Sequence, residues 1–281
     1  MNSVITSGDS SLSTEGFMDI HVHILPGLDD GAKTERDAIA MANIAAKCGT
    51  AGVVATPHID PSCLPPGCSQ VEAVRRAVAS LQESIDSYGI SIQVMPGTEI
   101  AMAPGLVAYL TRGEVIPVSD SGKYVLVELP FQTIPSYVEE EIFSMAAHGY
   151  IPIIAHPERN AEVIRNPNIL IPFLAAGALA HVNAGSLVGR EGQRPQQTAE
   201  ILLGHGLAHI IASDGHSATS RQPRLDRAFE IASRLVGEDE ALKMVRDIPR
   251  AITLGEDVHV SEPEVYKARR KWWHFRRKES S

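Results

Sequence analysis

Seven strand-like segments alternate with helical ones along most of this chain, and that alternation is the tightest constraint on its fold. The segments "MDIHVHI", "GVVATPH", "ISIQVMPGTEI", "YVLVEL", "IPIIAHPER", "ALAHVNAG" and "LAHIIASDGH" are apolar and bounded by turn residues. Between them, "KTERDAIAMANIAAKCG" sets Ala38, Met41, Ile44 and Ala45 at helical spacing, with Thr34 as N-cap and a stop at Gly49. "QVEAVRRAVASLQESIDSYG", "APGLVAYLTRG", "YVEEEIFSMAAHG" and "QQTAEILLGHG" also read as helices, as does the stretch from Gln222 to Leu254. Strands that alternate with helices pair in parallel through right-handed crossovers. Seven such units predict an α/β fold in one domain, a (β/α)7 barrel closed or nearly so. Functional side chains of such barrels gather at the carboxyl ends of the strands.

Those strand ends carry an unusual set of residues. In the first strand Met18, Ile20, Val22 and Ile24 alternate with Asp19, His21 and His23, which predicts both histidines on one face and a strand end near Ile24. Pro26-Gly27 and Asp30-Gly31 are turn residues, so Asp29 and Asp30 fold back over that end. His58 follows the second strand, Glu99 the third, Glu128 the fourth, His156 the fifth, Asn183 the sixth, and Asp214 with His216 the seventh. One histidine after a strand is ordinarily a loop or core residue; metal-competent groups at successive strand ends predict a metal centre. His21, His23, Asp30, His58, Glu99, Glu128, His156, Asp214 and His216 are too many for one ion at roughly four to six ligands and fit two or three. With no cysteine among them, the set favours Mn, Fe or Zn. Three divalent ions carry +6 against −4 from Asp30, Glu99, Glu128 and Asp214, so the pocket stays positive and attracts an anion, most simply a phosphate. Multi-ion sites activate water and stabilise both oxygens of an in-line displacement at phosphorus. Arg159 and Arg221 lie close in sequence to His156 and His216, and their planar forks suit a phosphate.

Composition excludes other readings. The 34 acidic residues outnumber the 25 basic ones, for a net charge of −9 that argues against nucleic-acid binding. Three cysteines are too few for a disulfide framework and point to the reducing cytosol. A cysteine-based phosphatase needs an arginine at a set distance after its thiolate, where Cys48, Cys63 and Cys68 are followed by Val54, Ser69 and Val74. There is no P-loop signature and no apolar run of about 18 residues that would span a membrane. Residues 1–16 read as a disordered polar leader and 17–258 as the barrel. Residues 259–281 form a basic tail in which Trp272, Trp273 and Phe275 interleave with Arg and Lys, a pattern that suits a membrane surface or an acidic partner.

"DIHVH", "DDG", "TPH", "GTEI", "VEL", "AHPER" and "ASDGH", in that order, resemble the polymerase and histidinol phosphatase (PHP) superfamily. Within it they are most similar to the CpsB/CapC-type bacterial protein-tyrosine phosphatases of capsule and exopolysaccharide synthesis. The resemblance implies a distorted seven-stranded barrel and metal-dependent, usually manganese-dependent, hydrolysis of phosphotyrosine. The implied substrate is the tail of a membrane-linked bacterial tyrosine kinase, which would place the chain in the cytoplasm or peripherally at the inner membrane face. Carried over by residue, His21, His23, Glu99 and Asp214 would hold one ion; Glu99, Glu128 and His156 a second; Asp30, His58 and His216 a third. Asp214, Arg159 and Arg221 would serve catalysis, with both arginines on the phosphate, while His181 and Asn183 would stand behind the ligands or touch substrate. The implied chemistry is direct attack on phosphorus by a hydroxide shared between ions. Metal ligands build the reaction rather than the substrate pocket, so a histidinol-phosphate or other small phosphoester phosphatase stands as the alternative. An amidohydrolase barrel and a non-catalytic phosphotyrosine-binding module are the remaining readings.

Overall fold

The computed structural model describes residues 15–59 and 70–267. Its elements in chain order are β1 (Phe17–Val22), α1 (Glu35–Lys47), β2 (Thr50–Ala55), β3 (His58–Ile59), α2 (Val71–Ser87), β4 (Gln93–Pro96), β5 (Glu99–Ala101), α3 (Leu106–Thr111), β6 (Tyr124–Glu128) and α4 (Val138–Ala147). There follow β7 (Ile151–Ala155), α5 (Ala161–Arg165), α6 (Ile171–Ala175), β8 (Leu179–Asn183), α7 (Ala184–Leu187), α8 (Gln193–Gly204), β9 (Ile210–Ala212), α9 (Asp226–Val236), α10 (Glu238–Leu242) and α11 (Ile248–Thr253). All pairings are parallel, in a three-stranded sheet of order β1-β2-β4 and a six-stranded sheet of order β3-β5-β6-β7-β8-β9.

Among the described residues, nine strands in two sheets therefore replace the seven continuous strands expected from the sequence. The extra breaks fall inside "GVVATPH" and "ISIQVMPGTEI". Pro57 has no N–H for a ladder, and the Thr56 hydroxyl takes the Val22 N–H at 3.1 Å. In the next strand the break follows Pro96, at Gly97 and Thr98, where the Thr98 hydroxyl donates to Ile116 O. Between β1 and the segment after β9 there is a single bridge, Val22 to Gly215, with hydrogen bonds from His23 N to Gly215 O and from Asp214 N to His21 O.

The ladder between β1 and β2 shifts register between Asp19 and Val22. Met18 and Ile20 join a cluster with Val54, Met95, Leu126, Ile153, Leu179 and Ile210, all from strands. Val22 and Ile24 instead pack against α1 and α2. The expected alternation is thus broken by a local bulge, which re-aims the end of the strand. This cluster, closed by Val118 and by Ile252 of α11, forms a floor beneath the strand ends. Two residues on from its members, Leu126 is followed by Glu128, Leu179 by His181, and Ala212 by Asp214.

Helices follow the sequence more closely. Thr34 caps α1 as expected, in a capping box with Asp37, and Gly49 reverses the chain with φ +88°. Its buried face is Ala38, Met41, Ala42 and Ala45, with Ile44 half-buried. Residues 259–267, assigned to the tail, lie against the body: Glu264 N donates to His205 O, and Asn168 pairs with both backbone groups of Tyr266. The leader up to Thr14, the Cys63–Cys68 loop and the aromatic part of the tail lie outside the described residues.

Candidate metal centre

His21 and His23 lie at and just beyond the bulged end of β1, both buried, with Nε2 atoms 3.0 Å apart. Their Nδ1 atoms are engaged elsewhere. His23 Nδ1 donates to Asp29 Oδ2 at 2.6 Å, and His21 Nδ1 lies 2.9 Å from Nε2 of buried His181. Burial, and then the neighbouring His21 and His156, hold His181 neutral, well below the usual histidine range. With both Nδ1 atoms engaged elsewhere, the two Nε2 atoms face each other and the Glu99 carboxylate.

Glu99 opens β5 beneath this pair and is wholly buried. Its Oε2 lies 3.2 Å from His21 Nε2, 3.4 Å from His23 Nε2 and 3.0 Å from His58 Nδ1, and its Oε1 lies 3.3 Å from His156 Nε2. Neither oxygen accepts a hydrogen bond. Burial alone would raise this carboxyl, but His21, His156 and His23 hold it well below its ordinary value. Burial also opposes charge on His23 and His156, yet the carboxylates around them raise their pKa to about 10 and about 9. At the end of β6, burial and then the Glu99 charge push Glu128 up. The centre is short of positive charge.

Asp214 Oδ1 completes the first group, 3.5 Å from His21 Nε2 and 3.6 Å from His23 Nε2. Ligands 2.0–2.1 Å from one ion stand about 3.0 Å apart at octahedral corners and about 3.4 Å at tetrahedral ones. The separations of 3.0–3.6 Å among His21, His23 and Asp214 fit a cation, and Glu99 lies 3.2 and 3.4 Å from the two histidines but falls in a different set from Asp214. Across the centre, His216 Nε2 and His58 Nε2 lie 3.2 and 3.7 Å from Asp30 Oδ1. Among the described residues four sets have ligand atoms within 4.8 Å of one another: His23, Asp30, His58 and His216; His21, His23 and Asp214; His21, Glu99 and His156; His58, Glu99 and Glu128. All nine expected residues fall in at least one. The grouping differs from the expected one: Glu99 is not in the set of His21, His23 and Asp214, His23 joins Asp30, His58 and His216, and Glu128 shares its set with His58, although His156 Nε2 is also 3.5 Å from its Oε1.

Asp214 Oδ2 turns the other way and accepts from Arg221 at 2.5 Å, Asn183 Nδ2 at 2.7 Å and Arg159 at 3.2 Å. Burial raises this carboxyl, but His21, His156 and Arg221 together hold it far below its ordinary value. Arg159 also reaches Glu191 at 3.0 Å and stacks 4.7 Å above the Phe131 ring. Phe131, Arg159, Arg190, Glu191, Pro195 and Arg221 line a cavity of about 440 Å³ beside the centre. Of the two places expected for Asn183, behind the ligands or at the substrate, it takes the first, fully buried behind Asp214 on the inward face of β8.

Three features escaped the sequence reading. Asp29 anchors His23 and accepts from His58 N and Gly31 N; the "DDG" doublet was a signal, but Asp30 alone was assigned. Asp19 accepts from Ser213 N and His21 N, tying β1 to the segment after β9, and burial pushes its pKa up to about 6. Arg190, Glu191 and Phe131 sit in loops with no periodic signal.

Comparison with known proteins gives a consistent picture. The family model described as "Capsular polysaccharide synthesis, CpsB/CapC" matches residues 17–253. The chain is 31% identical over 259 residues to the tyrosine-protein phosphatase YwqE of Bacillus subtilis, covering 92% of this chain and all of that one. It is 29% identical to the putative tyrosine-protein phosphatase CapC of Staphylococcus aureus, over 92% of this chain and 99% of the other. A solved structure reported as YwqE from Bacillus subtilis and CpsB from Streptococcus pneumoniae, "unique metal-dependent tyrosine phosphatases", superposes with TM-score 0.84 at 30% identity, covering 89% of this chain and 100% of that one.

Proposed function

The chain belongs to the CpsB/CapC family, and from that premise we propose that it is a metal-dependent tyrosine-protein phosphatase that hydrolyses phosphotyrosine monoesters. The observation that carries the reading is Asp214, whose Oδ1 lies among the histidines while Oδ2 is held by the two arginines. Divalent ions held by the nine residues, manganese on this reading with iron or zinc as alternates, supply Lewis acidity and an activated water. The chain's own groups do the rest. Asp29 and His181 fix the histidine tautomers so that Nε2 faces inward. Arg159 and Arg221 offer N–H groups to the phosphoryl oxygens, and Asn183 keeps Asp214 oriented between them. Phe131 offers the tyrosine ring an apolar wall. A phenol with pKa near 10 leaves with less help from an acid than an alkyl alcohol needs.

The same reading treats the two sheets as one ring, with β2–β3 and β4–β5 as interrupted strands and the Val22–Gly215 bridge joining its ends. It takes as substrate a tyrosine-phosphorylated protein of capsule synthesis, a membrane-linked kinase, met in the cytoplasm or at the inner membrane face through the basic tail. Among the described residues no helix is long and apolar enough to cross a membrane.

The test is phosphate release by metal-stripped protein from a phosphotyrosine peptide, a phosphoserine peptide and histidinol phosphate, each with and without Mn²⁺. Mn²⁺-dependent release from the phosphotyrosine peptide alone is expected. Preference for histidinol phosphate would overturn the substrate, and no release from any would favour a binding module.

A further inference from the structure

Beside the catalytic cavity lies a second one, of about 270 Å³, that the reaction leaves unused. Its floor is Ala184 and Gly185 of α7, and its rim carries Arg190, Arg224 and Arg227. Arg190 lines both cavities, so the two meet at one side chain. Gln222, next in sequence to Arg221 of the catalytic cavity, lines the second.

The charges in it are unequally matched. Arg224 is bound through two nitrogens to Asp226, at 2.9 and 2.6 Å. Arg190 and Arg227 are exposed and form no ion pair among the described residues. Five arginines thus surround two adjoining cavities on a chain whose net charge is −9. Three of the five are paired with Asp214, Glu191 or Asp226, which leaves Arg190 and Arg227 as the charges available to an anion in a concave site. Gly189 and Gly192, at φ +77° and +100°, bracket Arg190 and Glu191. That turn directs Glu191 to Arg159 and leaves Arg190 on the rim between the cavities.

We propose that this cavity binds a second anionic side chain, phosphate or carboxylate, of the same peptide whose phosphotyrosine occupies the catalytic cavity. The inference rests on the phosphatase reading and adds a substrate preference to it. An extended peptide advances about 3.3 Å per residue and alternates its side chains, so the second anion stands within a few positions of the phosphotyrosine. Arg190 and Arg227 bind it as charge-assisted donors.

The test compares peptides with one phosphotyrosine and, one to three residues away, alanine, glutamate or phosphoserine. KM is measured with the Mn²⁺-loaded protein, and Kd with the same peptides carrying the non-hydrolysable phosphonomethyl analogue. The wild type should favour an anionic neighbour about two- to fivefold, the range of a partly exposed ion pair. Arg227→Gln should abolish that preference while leaving the alanine peptide unaffected. Arg76→Gln, on α2 and away from both cavities, should keep it. The glutamate and phosphoserine arms decide between carboxylate and phosphate. Equal KM and Kd for all three peptides in the wild type would overturn the inference with the phosphatase reading intact, as would a loss of preference in Arg76→Gln equal to that in Arg227→Gln. Absent turnover with a Kd preference that Arg227→Gln removes would uphold the second site and overturn the phosphatase reading.

Discussion

Gly31→Ala probes the loop that carries Asp29 and Asp30 without removing any candidate ligand. A Cβ at Gly31 would stand 2.0 Å from the carbonyl oxygen of His23, 2.5 Å from its Cβ and 2.8 Å from its carbonyl carbon. A relaxed carbon–oxygen contact lies near 3.3 Å, so the loop must retreat by about 1.3 Å. The Ala32 N–H to His23 O bond, now 3.0 Å, breaks with that movement, and Asp29 withdraws from His23 Nδ1. Overpacking costs about 1–3 kcal/mol, and an orphaned buried backbone group about 1–3 kcal/mol more. Displacement near 1 Å in a catalytic constellation lowers the rate about 100-fold. The assay is kcat/KM on a phosphotyrosine peptide at saturating Mn²⁺, alongside thermal unfolding. Gly89→Ala is the control, since its φ of +66° makes alanine strained by about 1–2 kcal/mol but its Cβ meets nothing within 4 Å. Stability should fall in both variants and activity only in Gly31→Ala. Wild-type kcat/KM in Gly31→Ala, or an equal loss in Gly89→Ala, would refute the reasoning.

Other consequences follow from the same geometry. Asp29→Asn should raise the Mn²⁺ concentration for half-activation about 10- to 100-fold with little change in kcat at saturation; metal titration of the stripped enzyme reads this, and an unchanged midpoint would show the Nδ1 anchor to be dispensable. Arg221→Lys keeps the charge but loses the planar fork on Asp214 Oδ2, so kcat/KM should fall about 10- to 100-fold; steady-state kinetics decide, and a wild-type value would remove Arg221 from the reaction. His209 is buried, and burial pushes its pKa down to about 4. The unfolded chain therefore binds the extra proton between pH 6.5 and 4. The neutral ring's contribution is intact above pH 6.5 and about 3 kcal/mol is lost as pH falls to 4. His209→Gln should flatten that part of the stability curve in denaturant titrations; parallel curves would count against it.

The candidate ligands were legible because strand ends are local features: an apolar run, a turn residue and a misplaced histidine lie within a few positions of one another. What stayed illegible depends on distant pairing. His181 meets His21 across 160 residues, and Asn183 meets Asp214 across 31, so nothing adjacent in sequence separates a group that orients a ligand from one that touches substrate. The broken strands escaped for a related reason. Thr56 reads as a good strand residue, and only the Val22 N–H on its hydroxyl shows that the ladder is interrupted. In β1 the alternation placed both histidines on one face, but the register shift after Asp19 delivers them to the floor side while turning Val22 and Ile24 toward α1 and α2. Binary pattern specifies a face only while the register holds.

Backbone strain and closely packed buried charge meet at the candidate metal centre. Among the described residues four non-glycine residues have left-handed φ, and two of them are His156 at 32° and Asp214 at 52°, just past β7 and β9. Each costs of order 1–3 kcal/mol. Glu99 adds a wholly buried carboxylate whose oxygens accept no hydrogen bond, and His21 and His23 add two ring nitrogens only 3.0 Å apart. A chain shaped only for stability would place apolar side chains here. The left-handed turn at Asp214 has a specific consequence: its N–H still pairs with His21 O as though the strand continued, while the side chain is free to divide its oxygens. Oδ1 faces the histidines, and Oδ2 faces Arg159 and Arg221. Strain at this residue and coupling between cation cradle and phosphate clamp are therefore one feature, and relaxing the backbone would separate the two halves of the site.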